Sequence, residues 1–455
     1  MAWTTLTLQV TTPLFNGGAD ADGSQGFRPE DEAGIRPASI RGAMRFWLRA
    51  LAGALTGPDL RLLAALERRV LGGMADQART GTGAAASPVM LRIPRQPAVT
   101  PAAGPHAFLL PQHAQDDERR RDPGRWIVYL MGQGLGDLGN CKVRRPYVAP
   151  GEELDLRVGF RHAPADDAST RTAIEGLALA SLWLTCAYGG VGARTRRGFG
   201  GLRIVRADGV PAGPWQDGDA LLTPGLGHYE PLKALWPDGP LGSCMTYIRD
   251  LTGQRTFSGW AGQPPSFPVL SRTHTRAGAS GGDEFLNWAD ALIHAGRQFR
   301  YFRASKPNTR PDARYQPKIE TPEWPAVVHG NGSHFALGAL GLPVGYKDRY
   351  VVHAGRDGER PARRASPLWL RPVGGGSRWR LLSFAFHGEF LPGPDAPGVY
   401  LWHGQVQGRE LRVETSDVTR QTSQWIDVLE ADESFDGDHV RAWQDEEDAE
   451  PPCPS

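Results

Sequence analysis

Arg41, Arg45 and Arg49 recur at intervals of four, so any helix containing them carries all three on one face, and Arg36 stands just before it. No acidic residue occurs between Gly34 and Gly57, so no carboxylate lies three or four positions away to neutralise the stripe. Such like charges repel unless an anion sits among them, although a solvated helix face is the ordinary alternative. A second constellation is GGVGARTRRGFGG, Gly189 to Gly201, with six glycines, three arginines and one phenylalanine. Glycines such as Gly190 and Gly192 allow backbone N–H groups to cradle phosphate. Arg194, Arg196 and Arg197 add charge, and Phe199 offers a ring on which a base could stack. Flexibility alone would not call for three arginines. The segment matches neither GxxxxGK[ST] nor GxGxxG, which argues against a bound nucleotide cofactor. Lys142, Arg144 and Arg145 form a third basic cluster, either a further contact or plain surface; RQFRYFR, Arg297 to Arg303, is either a further contact or a segment whose aromatics belong to the second core.

Other chemistry has thinner support. GASGG, Gly278 to Gly282, satisfies GxSxG, but small-residue patterns arise readily among 57 glycines. His329 and His334 lack a second pair of ligands at metal-binding spacing, and Cys141, Cys186, Cys244 and Cys453 never approach a CxxC. No metal, cofactor or disulfide is expected.

These residues need elements to hold them. Leu6, Leu8 and Val10 alternate with Thr5, Thr7 and Gln9, the period of a half-buried strand over 3–12. Ser39 can cap a helix whose apolar positions are Ile40, Met44, Trp47, Leu48, Leu51 and Leu55. Val89–Ile93, Trp126–Leu130 and the alternation Leu154, Leu156, Val158, Phe160 read as strands. A helix over 171–187 runs into the glycine-rich loop, and GGLRIVRA closes the unit as a strand. Strand, helix, two strands, helix and strand, with large insertions, is the order of a ferredoxin-like, RRM-like βαββαβ domain in the α+β class. Residues 1–207 form this first domain. Residues 208–245, rich in Pro, Gly and Asp, read as a linker, and 246–426 as a second domain with a helix over 284–302 and a strand over 380–386.

At 455 residues the chain has room for two cores. The net charge of +1 hides an asymmetry: from Asp427 onward there are eleven acidic residues and one arginine, leaving +11 on the rest. Residues 427–455 therefore read as an acidic tail without a core of its own. The apolar run from Ile174 to Val191 contains Glu175 and reads as a buried helix, not a membrane span. The start of the chain lacks a basic region followed by an apolar stretch, so a cytoplasmic protein is expected.

Five segments together resemble a known family. TPLFNGG (Thr12 to Gly18), IRPASIRGAMRFWLRAL (Ile35 to Leu51) and GGVGARTRRGFGGL (Gly189 to Leu202) resemble the first strand, first helix and glycine-rich loop of the RAMP-superfamily subunits that open the Cmr series in type III-B CRISPR effectors. LGLPVGY (Leu340 to Tyr346) and RRASPLWLRPV (Arg363 to Val373) resemble the second RAMP domain of those subunits. The resemblance implies two ferredoxin-like RAMP domains and a place at the head of the effector beside other RAMP subunits. It also implies contact with target RNA and with guide RNA near its 3′ region. Carried onto this chain, Arg41, Arg45, Arg49, Arg194, Arg196, Arg197 and the neighbouring glycines become the phosphate-contacting set, and charge reversal of the three helix arginines is expected to weaken RNA binding more than about tenfold. RAMP relatives also include endoribonucleases. Asp20, Asp22 and Asp31, after the first strand, keep cleavage open as the alternative, as does a free-standing RNA-binding protein. The resembled subunit implies no catalytic residue.

Overall fold

The computed structural model describes residues 3–17, 34–73, 84–102, 124–132, 134–137, 142–211, 215, 221–222, 241–257, 259–281, 285–304, 306–307, 315–316, 325–346, 349–355, 362–393 and 395–431. The class is mixed α+β with antiparallel sheets. In the first half, β1 (Trp3–Val10) is followed by α1 (Pro37–Thr56), α2 (Leu60–Leu71), β2 (Val89–Arg95), α3 (Gly124–Met131), β3 (Glu153–Phe160), α4 (Ala168–Ala187) and β4 (Leu202–Asp208). The four strands pair antiparallel in the order β2-β3-β1-β4. Leu6 faces Leu156 and Leu8 faces Leu154, so the apolar alternation of both strands falls on one face of the sheet, which the helices cover.

Three expectations change here. The helix starts at Pro37 with Arg36 at its N-cap, and the Ser39 hydroxyl instead donates to Asn16 Oδ1 at 3.1 Å. Trp126–Leu130 lies in helix α3, not a strand; a five-residue apolar run has no period long enough to separate the two. Helix α2 was missed altogether.

Helix α4 is buried on nearly every side because it is central: α1 packs on it, as does α5 (Cys244–Thr252) from beyond the glycine-rich loop. Asp167 caps it by accepting from Thr170 N at 2.8 Å. Among the described residues of 208–245, Trp215, Leu221 and Leu241 are buried in the same core, so these positions are anchors and not exposed spacer.

The second half runs β5 (Thr275–Ala279), α6 (Trp288–Ala304), β6 (Val344–Gly345), β7 (Tyr350–Ala354), β8 (Leu368–Gly375), β9 (Arg378–Phe386), β10 (Val399–His403), β11 (Val406–Leu411) and α7 (Thr415–Glu430). One sheet has the order β8-β9-β5, and a second has β6-β7-β10-β11. Asp427 to Glu430 complete α7, so those acidic residues are structured; the remainder of the expected tail lies outside the described residues.

The halves share a core. Trp47 of α1 lies 5.7 Å from the ring of Trp369 and 6.1 Å from those of Phe384 and Phe386, all on β8 and β9. Buried Arg371 of β8 donates to the Cys186 carbonyl at 2.6 Å and to that of Leu202 at 2.9 Å, at the two ends of the glycine-rich loop. That loop is threaded through the seam.

Candidate nucleic-acid interface

The helix stripe is not bare. Glu67 of α2 pairs with Arg45 and accepts from Arg49 Nε at 2.6 Å, and Arg45 Nη2 also caps the end of α2 through the carbonyls of Leu71 and Gly72 at 2.9 and 2.7 Å. Arg41 donates to the Val89 carbonyl at 3.0 Å, and Arg36 to that of Gly17. Sequence reasoning found no carboxylate within one helical turn. The partner comes from another helix, brought alongside by tertiary packing. Arg49 is half-exposed, and the Arg49→Ala variant is expected to lose less than about 1 kcal/mol and to leave RNA affinity unchanged, as a denaturant melt and an RNA titration would show.

The glycine-rich loop is different. Gly192 has φ +94°, and a Cβ on it would stand 2.4 Å from the Phe15 carbonyl oxygen; one on Gly190 would stand 2.6 Å from that of Gly200. These glycines serve close packing of backbone on backbone, buried at Gly190 and at the surface at Gly192. Arg196 O accepts from Leu370 N at 3.2 Å, which docks the loop on β8. Phe199 has no exposed surface and packs edge-on against Phe15 at 5.8 Å, so it cannot stack a base. The base-stacking expectation is corrected: a lone aromatic in a glycine run reads the same whether its ring faces water or core. Phe199→Ala should cost about 3–5 kcal/mol in chemical denaturation, whereas a base-stacking ring would cost affinity with little stability.

Around this loop the guanidinium groups gather. Arg197 sits with its guanidinium carbon 4.2 Å from the Phe299 ring centre, and its buried Nη1 has no hydrogen-bond partner. Arg196 lies over Trp369 at 5.3 Å and Phe46 at 5.6 Å and donates to the Ser366 carbonyl. Arg364 reaches the carbonyls of Phe390 and, at 2.9 Å, Ala339. Exposed Arg194 adopts φ +60°, a left-handed conformation that costs a non-glycine residue energy, and its guanidinium lies over Gly132 at the end of α3. Exposed Arg363 is near enough to repel it.

Burial pulls Arg197 down to about 9, with Arg303, Arg194 and Arg196 pushing the same way. Burial likewise brings Arg196 to about 10 and, with Arg196 beside it, Arg364 to about 10. All remain cations at neutral pH. Among the described residues, no carboxylate pairs with Arg194, Arg196, Arg197, Arg363 or Arg364, and Arg194, Arg197 and Arg363 make no side-chain hydrogen bond. Cations held together without counter-charge are costly, and a phosphate at the rim would remove that cost.

Arg363 and Arg364 stand 169 or more positions from Arg194, beyond the reach of motif spacing. The RRASPLWLRPV segment was their only signal.

The remaining candidates scatter. Arg144 is exposed and Arg145 half-buried beside a two-residue strand pairing, and the Lys142 side chain is not among those described. Phe299 and Phe302 of RQFRYFR pack on buried Trp425. Ser280, directly after β5, is buried and its hydroxyl accepts from Leu381 N at 3.2 Å, a role within the fold. His334 bonds Asp417 at 2.9 Å, and no group of three or more metal-binding side chains occurs among the described residues. Cys186 and Cys244 are buried free thiols, each raised to about 12 by burial, while Cys141 and Cys453 lie outside the described residues, as do Asp20, Asp22 and Asp31. No described helix is long and apolar enough to cross a membrane.

The family model described as the RAMP superfamily matches residues 7–102, the stretch that holds the second half of β1 together with α1, α2 and β2. The chain's particular relatives are subunits of CRISPR Cmr systems. It is 29% identical to the Cmr subunit Cmr1-1 of Pyrococcus furiosus over 173 residues, 38% of this chain and 41% of that protein. It is 28% identical to Cmr1-2 of the same organism over 204 residues, 43% of this chain and 92% of that protein. The chain thus spans about two fifths of the first relative's length and most of the second's. Among solved structures, the apo crystal structure of Cmr1 from Pyrococcus furiosus shares 20% identity at a TM-score of 0.48, covering 93% of this chain and 97% of that one. A type III-B Cmr-beta structure bound to cognate target RNA contains a chain with 11% identity and a TM-score of 0.45, covering 93% of this chain and 99% of that one.

Proposed function

We propose that this chain is an RNA-binding, non-catalytic subunit of a type III-B Cmr effector, contacting target RNA and the 3′ region of the guide RNA beside other RAMP subunits. The observation that carries the RNA-binding role is the cluster of Arg194, Arg196, Arg197, Arg363 and Arg364, cations with no carboxylate partner among the described residues. A phosphodiester backbone supplies one negative charge per nucleotide and matches the planar donors of guanidinium. The relation to Cmr1 subunits supports membership of the complex.

Both halves are read as ferredoxin-like RAMP domains. The first has the strand order of that fold. The second repeats strand, helix, two strands and helix in β5, α6, β8, β9 and α7, with β6, β7, β10 and β11 as insertions. No fourth strand joins β8-β9-β5 among the described residues.

The test is capture of the tagged chain from its native host, with sequencing of bound RNA and mass spectrometry of bound protein. Guide RNAs together with other RAMP subunits are expected. Recovery of RNA without those subunits would point to a free-standing binder and overturn the assembly. For the non-catalytic assignment, purified chain should leave labelled RNA intact; cleavage abolished by changing Asp20, Asp22 or Asp31 to Ala would make it an endoribonuclease.

A further inference from the structure

We propose that the acidic segment 432–455 of this chain docks on the guanidinium cluster of Arg194, Arg196 and Arg363 and competes there with RNA. The regulatory part of this inference rests on the RNA-binding reading above; the docking itself does not.

Three observations carry it. The first is complementarity: residues 432–455 hold nine carboxylates against one arginine, with Phe435 and Trp443 between them. Guanidinium groups pair with carboxylates and also stack on aromatic rings, as Arg196 already does on Trp369 and Phe46. The second is the lack of competition from within the fold. On α1, Glu67 pairs with Arg45 and Arg49, and on the sheet Arg95 is bound by Asp155 at 3.0 Å, whereas the cluster at the seam has no carboxylate among the described residues.

The third is reach. Thr415 Oγ1, at the start of α7, accepts from Phe390 N at 3.2 Å, and the Phe390 carbonyl accepts from Arg364, so the helix begins beside the cluster. Its 16 residues carry the chain about 24 Å away. The segment that follows can extend to roughly 80 Å, ample for a return. Tethering raises the segment's local concentration to the order of millimolar, so even weak pairing would occupy the site.

The experiment uses the full-length chain and a variant in which the nine carboxylates of 432–455 are changed to the corresponding amides. RNA affinity is measured for both by fluorescence anisotropy at about 0.15 M salt, where exposed charges are screened beyond about 8 Å. Separately, a labelled peptide of residues 432–455 is titrated into the amide variant. Docking predicts at least about threefold tighter RNA binding by the amide variant, peptide binding displaced by RNA, and loss of peptide binding when Arg194 and Arg363 are changed to Glu. Tighter RNA binding without peptide binding would mean a diffuse field effect and would overturn docking. Peptide binding indifferent to Arg194 and Arg363 would overturn the assigned site. Because the peptide titration contains no RNA, it decides docking even if RNA proves to bind elsewhere.

Discussion

Changing Arg194 and Arg363 together to Glu lowers affinity for single-stranded RNA by more than about tenfold at 0.15 M salt and reduces the slope of log affinity against log salt by about 1.4. The slope follows from two phosphate contacts, each releasing about 0.7 of a counterion on a single strand. Both side chains are exposed and neither is hydrogen-bonded among the described residues, so the change leaves the core intact. Affinity should fall equally for RNAs of different sequence, because phosphate contacts do not read bases. The same double change on α1, at Arg45 and Arg49, is a different experiment: it sets two new carboxylates against Glu67 and should appear as lost stability. A folded Arg194/Arg363 variant with unchanged salt slope would remove the cluster from the interface.

Trp47→Ala is expected to destabilise the protein by about 3–5 kcal/mol. The side chain is 1% exposed and packs on Trp369, Phe384 and Phe386 across the seam and on Tyr188 within its own half. It also supports the start of the glycine-rich loop, where a Cβ on Gly189 would lie 2.2 Å from Trp47 Nε1. Loss of the ring therefore weakens the joint between the halves and the platform under the arginines. Urea denaturation reads the stability loss. Trp47→Phe, which keeps part of the ring, should recover some of it, and a cost below about 1.5 kcal/mol for Trp47→Ala would mean that the halves are not joined through this cluster.

Much of the first half was legible before any coordinates. Alternation in 3–10 and 153–160 and helical spacing from Ile40 to Leu48 are local properties, set by which side of one element meets water. Missed helix α2 carries Arg61, Glu67, Arg68 and Arg69 among its leucines, and the polar residues masked its apolar face. The second half yielded less, because β6, β7, β10 and β11 are short and the pairing that joins their two local pairs, β7 with β10, spans some 49 residues.

The sequence by itself determined the α+β class, the resemblance to Cmr subunits, and the glycine-rich loop that holds Arg194, Arg196 and Arg197. Only the tertiary structure decided which arginines remain available. Glu67 reaches Arg45 and Arg49 from a second helix, Phe199 turns into the core, and Arg363 and Arg364 come from the other half to stand beside Arg194 and Arg196. The physical reason is range. Periodicity reports a residue's own element, whereas the availability of a charge depends on every group within a few ångströms of it, and those groups are brought together by long-range packing.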